Sequence, residues 1–177
     1  MTRSRLAFVL FLPGRGRLQA LDPLNRRLFE VDVEEPGAVL IVPSKKAYWK
    51  ASRAEVLEAG LGFPLSIREM AGVISGRWEG LDEEVGVFSD WTLDRDSAGR
   101  VVSGSRSGFA FRVEEFFPGS SVPRRLSFFG TGSSGALTLL SLGFNASGAE
   151  AARGRPIPPS FVRLSRADME KILRHEN

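Results

Sequence analysis

The sequence predicts an α+β protein that is mainly β, in which two short helices interrupt an antiparallel sheet. Three observations support this prediction. Short segments of alternating apolar and polar residues lie on both sides of residues 52–76, and turns rich in Gly and Pro separate them. Residues 52–76 instead have apolar side chains at helical spacing. With 177 residues, 42% of them apolar and 25% charged, the chain is long enough for one domain with a real core.

The segments before residue 52 predict a meander of five strands. Four turns that each contain a Pro separate these strands. In the third strand, Phe29, Val31 and Val33 alternate with Glu30 and Asp32. One face of the sheet is therefore predicted to be buried and the other to face water. The predicted strands are residues 5–12, 17–21, 28–33, 38–42 and 47–50.

The next stretch, residues 52–76, predicts two helices joined at a Gly-Phe-Pro corner. Ser52 with Glu55, and Ser66 with Glu69, have the spacing of capping boxes, in which Ser and Glu each bond the other's backbone N–H. The helices must cover an apolar surface, and the sheet provides one. The pattern leaves open whether the space beneath them is a filled core or a cavity. Their apolar residues are Val56, Leu57 and Leu61 in the first helix and Ile67, Met70, Val73 and Ile74 in the second.

After the helices the strand pattern is less regular. The clearest segment has Phe109, Phe111 and Val113 on one face, with Arg112 between them on the other. Another segment, residues 101–107, is poor in apolar side chains and predicts an edge strand or a loop. The predicted segments are residues 85–93, whose pattern is weak, and residues 101–107, 108–117, 124–129 and 136–144.

A glycine-rich motif, Gly130-Thr131-Gly132-Ser133-Ser134-Gly135, fits the G-x-G-x-x-G pattern of a dinucleotide-binding loop. A phosphate bound at such a loop faces the N-terminus of the helix that follows. Residues 136–144 alternate like a strand instead, so we interpret the motif as a hairpin turn.

The tail of the chain, residues 147–177, begins as a linker of Ala, Gly, Arg and Pro. A third helix is predicted from Ser165, with Met169, Ile172 and Leu173 as its short apolar stripe. This helix would either pack on the sheet or remain a loose arm.

The composition argues against several kinds of function. The chain has no Cys, and its one His, His175, lies close to the last residue, so no thiolate nucleophile or thiolate metal site is predicted. No nucleophile–base pair can be assembled, so we expect no enzyme, no metal and no cofactor. The net charge is only +3, and the basic residues are too spread out for a nucleic-acid-binding surface, which needs them clustered with aromatic residues between them. Leu6–Leu12 follows two arginines but lacks a cleavage site, so we expect a strand and no signal peptide.

One residue, Leu24, is unusual because it lies at the tip of a turn, between Pro23 and the pair Arg26 and Arg27. It is either a leucine folded back onto the sheet or a single exposed apolar residue, which needs no explanation. A sharper interpretation is an apolar tip with basic neighbours that contacts a membrane.

One long stretch has the pattern of a known family. Residues 17–76 contain a strand, a Pro-Leu turn, two more strands, an aromatic strand end, a helix, a Gly-x-Pro-Leu corner and a second helix closed by Gly. Residues 111–128, FRVEEFFPGSSVPRRLSF, add a strand, a turn containing Pro and a strand. Over roughly residues 5–144 the chain resembles the LolA/LolB family of lipoprotein-localisation proteins, and the outer-membrane receptor LolB more than the periplasmic carrier LolA.

The resemblance implies an incomplete antiparallel β-barrel over residues 1–146, with lid helices at 52–76 above a hydrophobic cavity, and a linker and C-terminal helix at 147–177. In this family the cavity takes the acyl chains of lipoproteins, so non-enzymatic lipid binding is implied. The implied membrane contacts are Leu24, Arg26 and Arg27. The implied cavity residues are Phe29, Val31, Phe109, Phe111, Val113, Leu126 and Phe128 on strands, and Leu57, Leu61, Phe63, Leu65, Met70, Val73 and Ile74 in the lid.

The implied partners are lipoprotein acyl chains or lipid, the outer-membrane surface and a periplasmic lipoprotein carrier. The implied location is the bacterial periplasm, at the periplasmic face of the outer membrane. The family's signal peptide and the receptor's lipidated Cys have no counterpart in the sequence. The alternative is a structural or protein-interaction module of the envelope, with the same fold and a filled core.

Overall fold

The computed structural model describes residues 5–12, 14–34, 36–78, 90–131, 133–144 and 156–176. Two compact units make up the chain: residues 1–67 with 147–177, and residues 68–146. The described part is α+β and mainly β, as predicted, and its strands form two open sheets. The strands are β1 (Arg5–Phe11), β2 (Arg15–Leu21), β3 (Arg27–Glu34), β4 (Gly37–Val42), β5 (Ala47–Ala51), β6 (Thr92–Arg95), β7 (Val101–Arg106), β8 (Phe109–Phe116), β9 (Pro123–Gly130), β10 (Ser133–Thr138) and β11 (Val162–Arg163). The α-helices are α1 (Arg53–Leu61), α2 (Ile67–Ser75) and α3 (Arg166–Glu176), and a 3₁₀ turn spans Pro43–Lys45.

The first unit contains a six-stranded sheet in the order β1-β2-β3-β4-β5-β11. The five predicted strands of the meander are confirmed and pair antiparallel in chain order. The sixth strand, β11, pairs parallel with β5, through Val162 N–H to Lys46 O and Leu164 N–H to Tyr48 O. The sequence did not predict β11, since the tail was interpreted as a linker and a helix. The predicted third helix is confirmed as α3, and its Met169 is completely buried, so it is not a loose arm.

One face of this sheet is apolar and is covered by α1. Leu18, Val31 and Leu40 are cross-strand neighbours on β2, β3 and β4, and each is at most 1% exposed. The predicted capping box at the start of α1 is confirmed: Ser52 Oγ accepts from the Glu55 N–H at 3.4 Å, and the Glu55 carboxylate accepts from the Ser52 N–H at 3.2 Å. These bonds satisfy N–H groups that have no partner within the helix, so α1 begins where the sequence predicts.

The opposite face of this sheet was predicted to face water, and this prediction is wrong at β3. Glu30 and Asp32 are only 2% and 5% exposed, and their burial is tolerated because each carboxylate is paired with a neighbouring guanidinium. Arg17 Nε donates to Asp32 Oδ1 at 2.7 Å and lies 3.1 Å from Glu30 Oε1. Gln19 and Arg27 donate to Glu30 Oε2 at 2.9 and 2.6 Å. Both faces of the sheet are therefore buried here.

The second unit contains a five-stranded antiparallel sheet in the order β10-β9-β8-β7-β6. Residues 101–107 were predicted to be an edge strand or a loop, but β7 is an interior strand between β6 and β8, so the edge prediction is wrong. The hairpin interpretation of the glycine-rich motif is confirmed, because Ser133 of β10 pairs with Gly130 of β9. The predicted strand at 136–144 ends early, at Thr138. Of the weak strand at 85–93, residues 85–89 lie outside the described residues.

Candidate functional site

The fourteen residues predicted to line a lipid cavity belong to both compact units, and each set is described on its own. Most of them are buried, while Phe29, Leu61, Phe63 and Val113 are half-buried. The first unit holds Phe29, Val31, Leu57, Leu61, Phe63 and Leu65. The second unit holds Met70, Val73, Ile74, Phe109, Phe111, Val113, Leu126 and Phe128.

In the first unit, α1 lies directly on β3 and β4, which is where the predicted lid meets the predicted strand residues. A β-carbon added to Gly60 would lie 2.8 Å from Val31 Cγ2, 3.6 Å from Phe29 Cε2 and 3.8 Å from Leu40 Cδ1. Real Cβ atoms do not approach other atoms as closely as 2.8 Å. At this position the helix backbone therefore lies in direct contact with the side chains of the sheet.

In the second unit, the predicted strand residues belong to an aromatic cluster that sequence reasoning only partly identified. Phe109 and Phe128 stack at a centroid distance of 6.1 Å, and Trp78 stacks on Phe111 at 5.8 Å. Trp91 contacts Phe111 at 5.8 Å, Phe109 at 5.9 Å and Trp78 at 5.1 Å. Trp78 and Trp91 were not predicted as site residues. Their only sequence signal is their large apolar area, which favours burial wherever the chain allows it.

A buried carboxylate joins α2 to residues near this cluster. Glu69 is 4% exposed, and its Oε1 accepts a hydrogen bond from Trp91 Nε1 at 2.9 Å and lies 2.9 Å from Arg106 Nη1. The Arg106 guanidinium also lies over the Trp91 ring, 5.4 Å from its centroid. The sequence assigned Glu69 to a capping box with Ser66, which stays a prediction.

The turn between β2 and β3 presents Leu24, which is 74% exposed. Asp22 Oδ1 accepts from the N–H groups of Leu24 at 2.8 Å and of Arg26 at 2.9 Å. Asn25 takes a left-handed conformation, with φ 61°, and donates its N–H to Asp22 O at 2.9 Å. These bonds fix the backbone on both sides of Leu24, so the side chain is held away from the sheet by a well-defined turn.

The charges at this turn are partly compensated. Arg26 Nε donates to Asp22 Oδ2 at 2.6 Å, and Arg27 Nη1 donates to Glu30 Oε2 at 2.6 Å. The backbone and side-chain hydrogen bonds from Arg26 hold the pKa of Asp22 below its ordinary value, so Asp22 is ionised at neutral pH. The tip of the turn is therefore less positive than the two arginines alone suggest.

A cavity of about 850 Å³ lies on the other face of the first unit's sheet, between β4, β5 and the proline-rich segment before β11. None of the fourteen predicted cavity residues lines it. The sequence missed this cavity because Pro156-Ile157-Pro158-Pro159 was interpreted as a linker. Its lining includes Asp32, Val39, Ile41, Tyr48, Lys50, residues 156–159 and Phe161.

No known protein-family model matches the chain, and no curated protein sequence matches it. The resemblance to the LolA/LolB family therefore stays a prediction from the residue pattern. Within the described residues, the helices are too short or too polar to cross a membrane.

Proposed function

We propose that this chain binds the acyl chain of a lipid or lipoprotein without chemical reaction, and exchanges it at the bacterial outer membrane. The observation that carries the proposal is the exposed Leu24 on a hydrogen-bonded turn. An apolar side chain held outward in this way enters a lipid surface without first having to be ordered. The predicted incomplete barrel with α1 and α2 as its lid is part of this proposal.

The strength of such a contact suits exchange rather than permanent anchoring. Burying one leucine in lipid contributes about 1.5–3 kcal/mol. Arg26 and Arg27 each add at most about 1 kcal/mol at an anionic surface, and less because Asp22 and Glu30 accept hydrogen bonds from them. The sum corresponds to a contact that forms and breaks readily, as the delivery of an acyl chain requires.

The membrane contact is tested by Leu24→Glu, measured by co-sedimentation with vesicles that contain anionic phospholipid. We expect vesicle binding to fall about tenfold or more, with an almost unchanged melting temperature, because the side chain is exposed. Leu140→Glu is the matched control, since Leu140 is 80% exposed and receives the same change in charge. A large loss of thermal stability in Leu24→Glu, or an equal loss of binding in both variants, would rule out this role for Leu24.

A second candidate is a structural or protein-interaction module of the same fold with a filled core. Two observations favour it: the close approach of Gly60 to Val31, and the aromatic cluster around Phe111. Native mass spectrometry of the protein purified from a bacterial host separates the two candidates. Co-purified lipid that a competing fatty acid displaces supports acyl-chain binding, whereas a protein that never carries or takes up lipid supports the filled core.

A further inference from the structure

The strand β1 forms an open edge of the first unit's six-stranded sheet. In the part of the chain that the structure describes, β1 pairs with β2 alone. This pairing continues without a register shift from Arg5, opposite Leu21, to Phe11, opposite Arg15. An antiparallel neighbour uses the N–H and C=O groups of only every second residue, so the outer edge of β1 presents a row of backbone groups with which another strand can pair.

Most edge strands have features that block such pairing, and β1 has almost none of them. Natural edges are protected by short length, charged side chains, Pro or β-bulges. The strand β1 has seven residues without a Pro or a bulge, and its one charged residue, Arg5, lies at its start. The six residues that follow are LAFVLF, all of them apolar. A segment of this kind favours pairing with another strand.

The side chains of β1 also leave the apolar layer of the sheet incompletely covered at this edge. Phe8 lies opposite Leu18, which is 1% exposed, so Leu6, Phe8 and Leu10 belong to the apolar face of the sheet. These three side chains are only half-buried. On the other face of β1, Val9 is 37% exposed. A further strand beside β1 would therefore cover apolar side chains on both faces.

The other sheet edges of the described residues match β1 poorly. At the far side of the same sheet, β11 has two residues, too few to pair along a seven-residue strand. In the second unit, the edge strand β6 has four residues, two of them charged, and the edge strand β10 has the sequence SSGALT. The edge that matches the length and the apolar pattern of β1 is a second β1.

We propose that two copies of this chain pair through β1 in antiparallel orientation, about a twofold axis at Phe8, so that their six-stranded sheets become continuous. With Phe8 opposite Phe8 of the second copy, all seven residues of the strand have a partner. Each pair joins residues of the same face, so the apolar layer continues across the interface. The remaining pairs are Leu6 with Leu10, Ala7 with Val9, and Arg5 with Phe11.

This arrangement also closes at two copies. The one charged residue of β1, Arg5, lies opposite an aromatic ring and not opposite another arginine, so no like charges face each other. A twofold contact uses the same edge of both copies and leaves neither β1 open. The inference does not depend on the acyl-chain proposal.

The test is sedimentation equilibrium of the whole chain over a wide range of protein concentration, which gives the Kd of the dimer. We expect a dimer, and we expect Ala7→Lys to weaken its Kd about tenfold or more, because a lysine on an edge strand opposes pairing. The side chain of Ala7 is exposed, so the monomer should still fold. Ala136→Lys, at an exposed alanine of the edge strand β10, is the matched control and should change Kd by less than about twofold.

Engineered cysteines test the register independently, since the chain has no Cys of its own. In Phe8→Cys, the two thiols lie directly opposite each other, within the Cα distance that a disulfide requires. In Ala7→Cys, the two thiols are diagonal neighbours, about 7–8 Å apart and too distant for a disulfide. Oxidation with diamide should therefore cross-link Phe8→Cys about tenfold faster than Ala7→Cys.

Three results would overturn the proposal. One is a chain that stays monomeric at every concentration or assembles beyond two copies. Another is a dimer that Ala136→Lys weakens as much as Ala7→Lys does, because the contact then involves the edge of the second sheet. The third is equal cross-linking of Ala7→Cys and Phe8→Cys, which would mean that the two copies meet by collision and not in a fixed register.

Discussion

Trp91 Nε1 donates a 2.9 Å hydrogen bond to Glu69 Oε1, and this bond joins α2 to the segment that leads into β6. The same oxygen lies 2.9 Å from Arg106 Nη1 on β7. A carboxylate that is only 4% exposed would be very unfavourable without such donors, so these two contacts compensate its burial and link α2 to Trp91 and β7.

Replacing Glu69 should therefore be strongly destabilising. Glu69→Ala is expected to lower the free energy of unfolding by about 3 kcal/mol, because it removes the acceptor of Trp91 and the nearer of two carboxylates recorded beside Arg106, in a mostly buried place. Glu69→Gln keeps an acceptor oxygen and should lose less. Both are measured by urea denaturation, with Glu115→Ala as the control: its pair with Arg124 is about half exposed and contributes less than about 1 kcal/mol. A loss in Glu69→Ala no larger than in Glu115→Ala would show that the carboxylate does not stabilise the unit.

The direct packing of α1 on the sheet predicts that Gly60→Ala destabilises the protein. Alanine gains up to about 1 kcal/mol of helix propensity over glycine, but its β-carbon would lie 2.8 Å from Val31 Cγ2, and overpacking costs about 1–3 kcal/mol. We expect a net loss of about 1 kcal/mol in thermal or chemical denaturation. In the double variant that combines Gly60→Ala with Val31→Ala, the loss of stability should be smaller than the sum of the two single losses, because the smaller side chain at position 31 relieves the clash. A stabilising Gly60→Ala would mean that α1 does not rest on Val31 in solution.

The capping box of α1 predicts a dependence on pH. The Ser52 hydroxyl and N–H, with Arg166 Nη1 3.8 Å from Glu55 Oε1, hold the pKa of Glu55 below its ordinary value. A lowered folded-state pKa stabilises the folded chain above the unfolded-state pKa, and this contribution is lost as the pH falls through the folded-state pKa. In Ser52→Ala, NMR titration should show the pKa of Glu55 moving up towards its ordinary value, and amide exchange in the first turn of α1 should be roughly fivefold faster at neutral pH.

The difference in amide exchange between Ser52→Ala and the unaltered protein should become smaller in acid, because a protonated Glu55 no longer completes the capping box. Ser107→Ala, at an exposed serine between β7 and β8, is the control and should leave both quantities unchanged. If the pKa of Glu55 is unchanged in Ser52→Ala, the lowering of this pKa comes from Arg166 and not from Ser52.

Local patterns were sufficient for features that depend on residues close in sequence. Ser52 and Glu55 are three residues apart, and the helix begins as their spacing predicts. Phe109 and Phe111 alternate with polar residues, and β8 forms at the predicted place. In these cases neighbouring residues alone determine the backbone conformation.

Features that depend on distant residues were not predicted. The alternation in β3 identified the strand, but the burial of Asp32 depends on Arg17, which only the pairing of β2 with β3 brings within 2.7 Å. The interior position of β7 depends on strand order, because its own residues resemble those of an edge. A cavity of about 330 Å³ in the second unit likewise has lining residues from the end of α2, such as Arg77, and from the turn between β6 and β7, which holds Arg95 and Arg100. Sequence spacing gives no measure of such approaches.

The parallel pairing of β11 with β5 also fixes an order of events during synthesis. Until Val162 and Leu164 leave the ribosome, the carbonyls of Lys46 and Tyr48 lie at an open sheet edge without these N–H donors. At typical elongation rates the intervening residues take on the order of ten seconds to make, which is long compared with strand pairing. During that interval the open β5 edges of nascent chains on the same mRNA are exposed to one another. Once it is made, the short strand β11 covers this edge, and the buried Met169 holds α3 in place after it, so both limit aggregation.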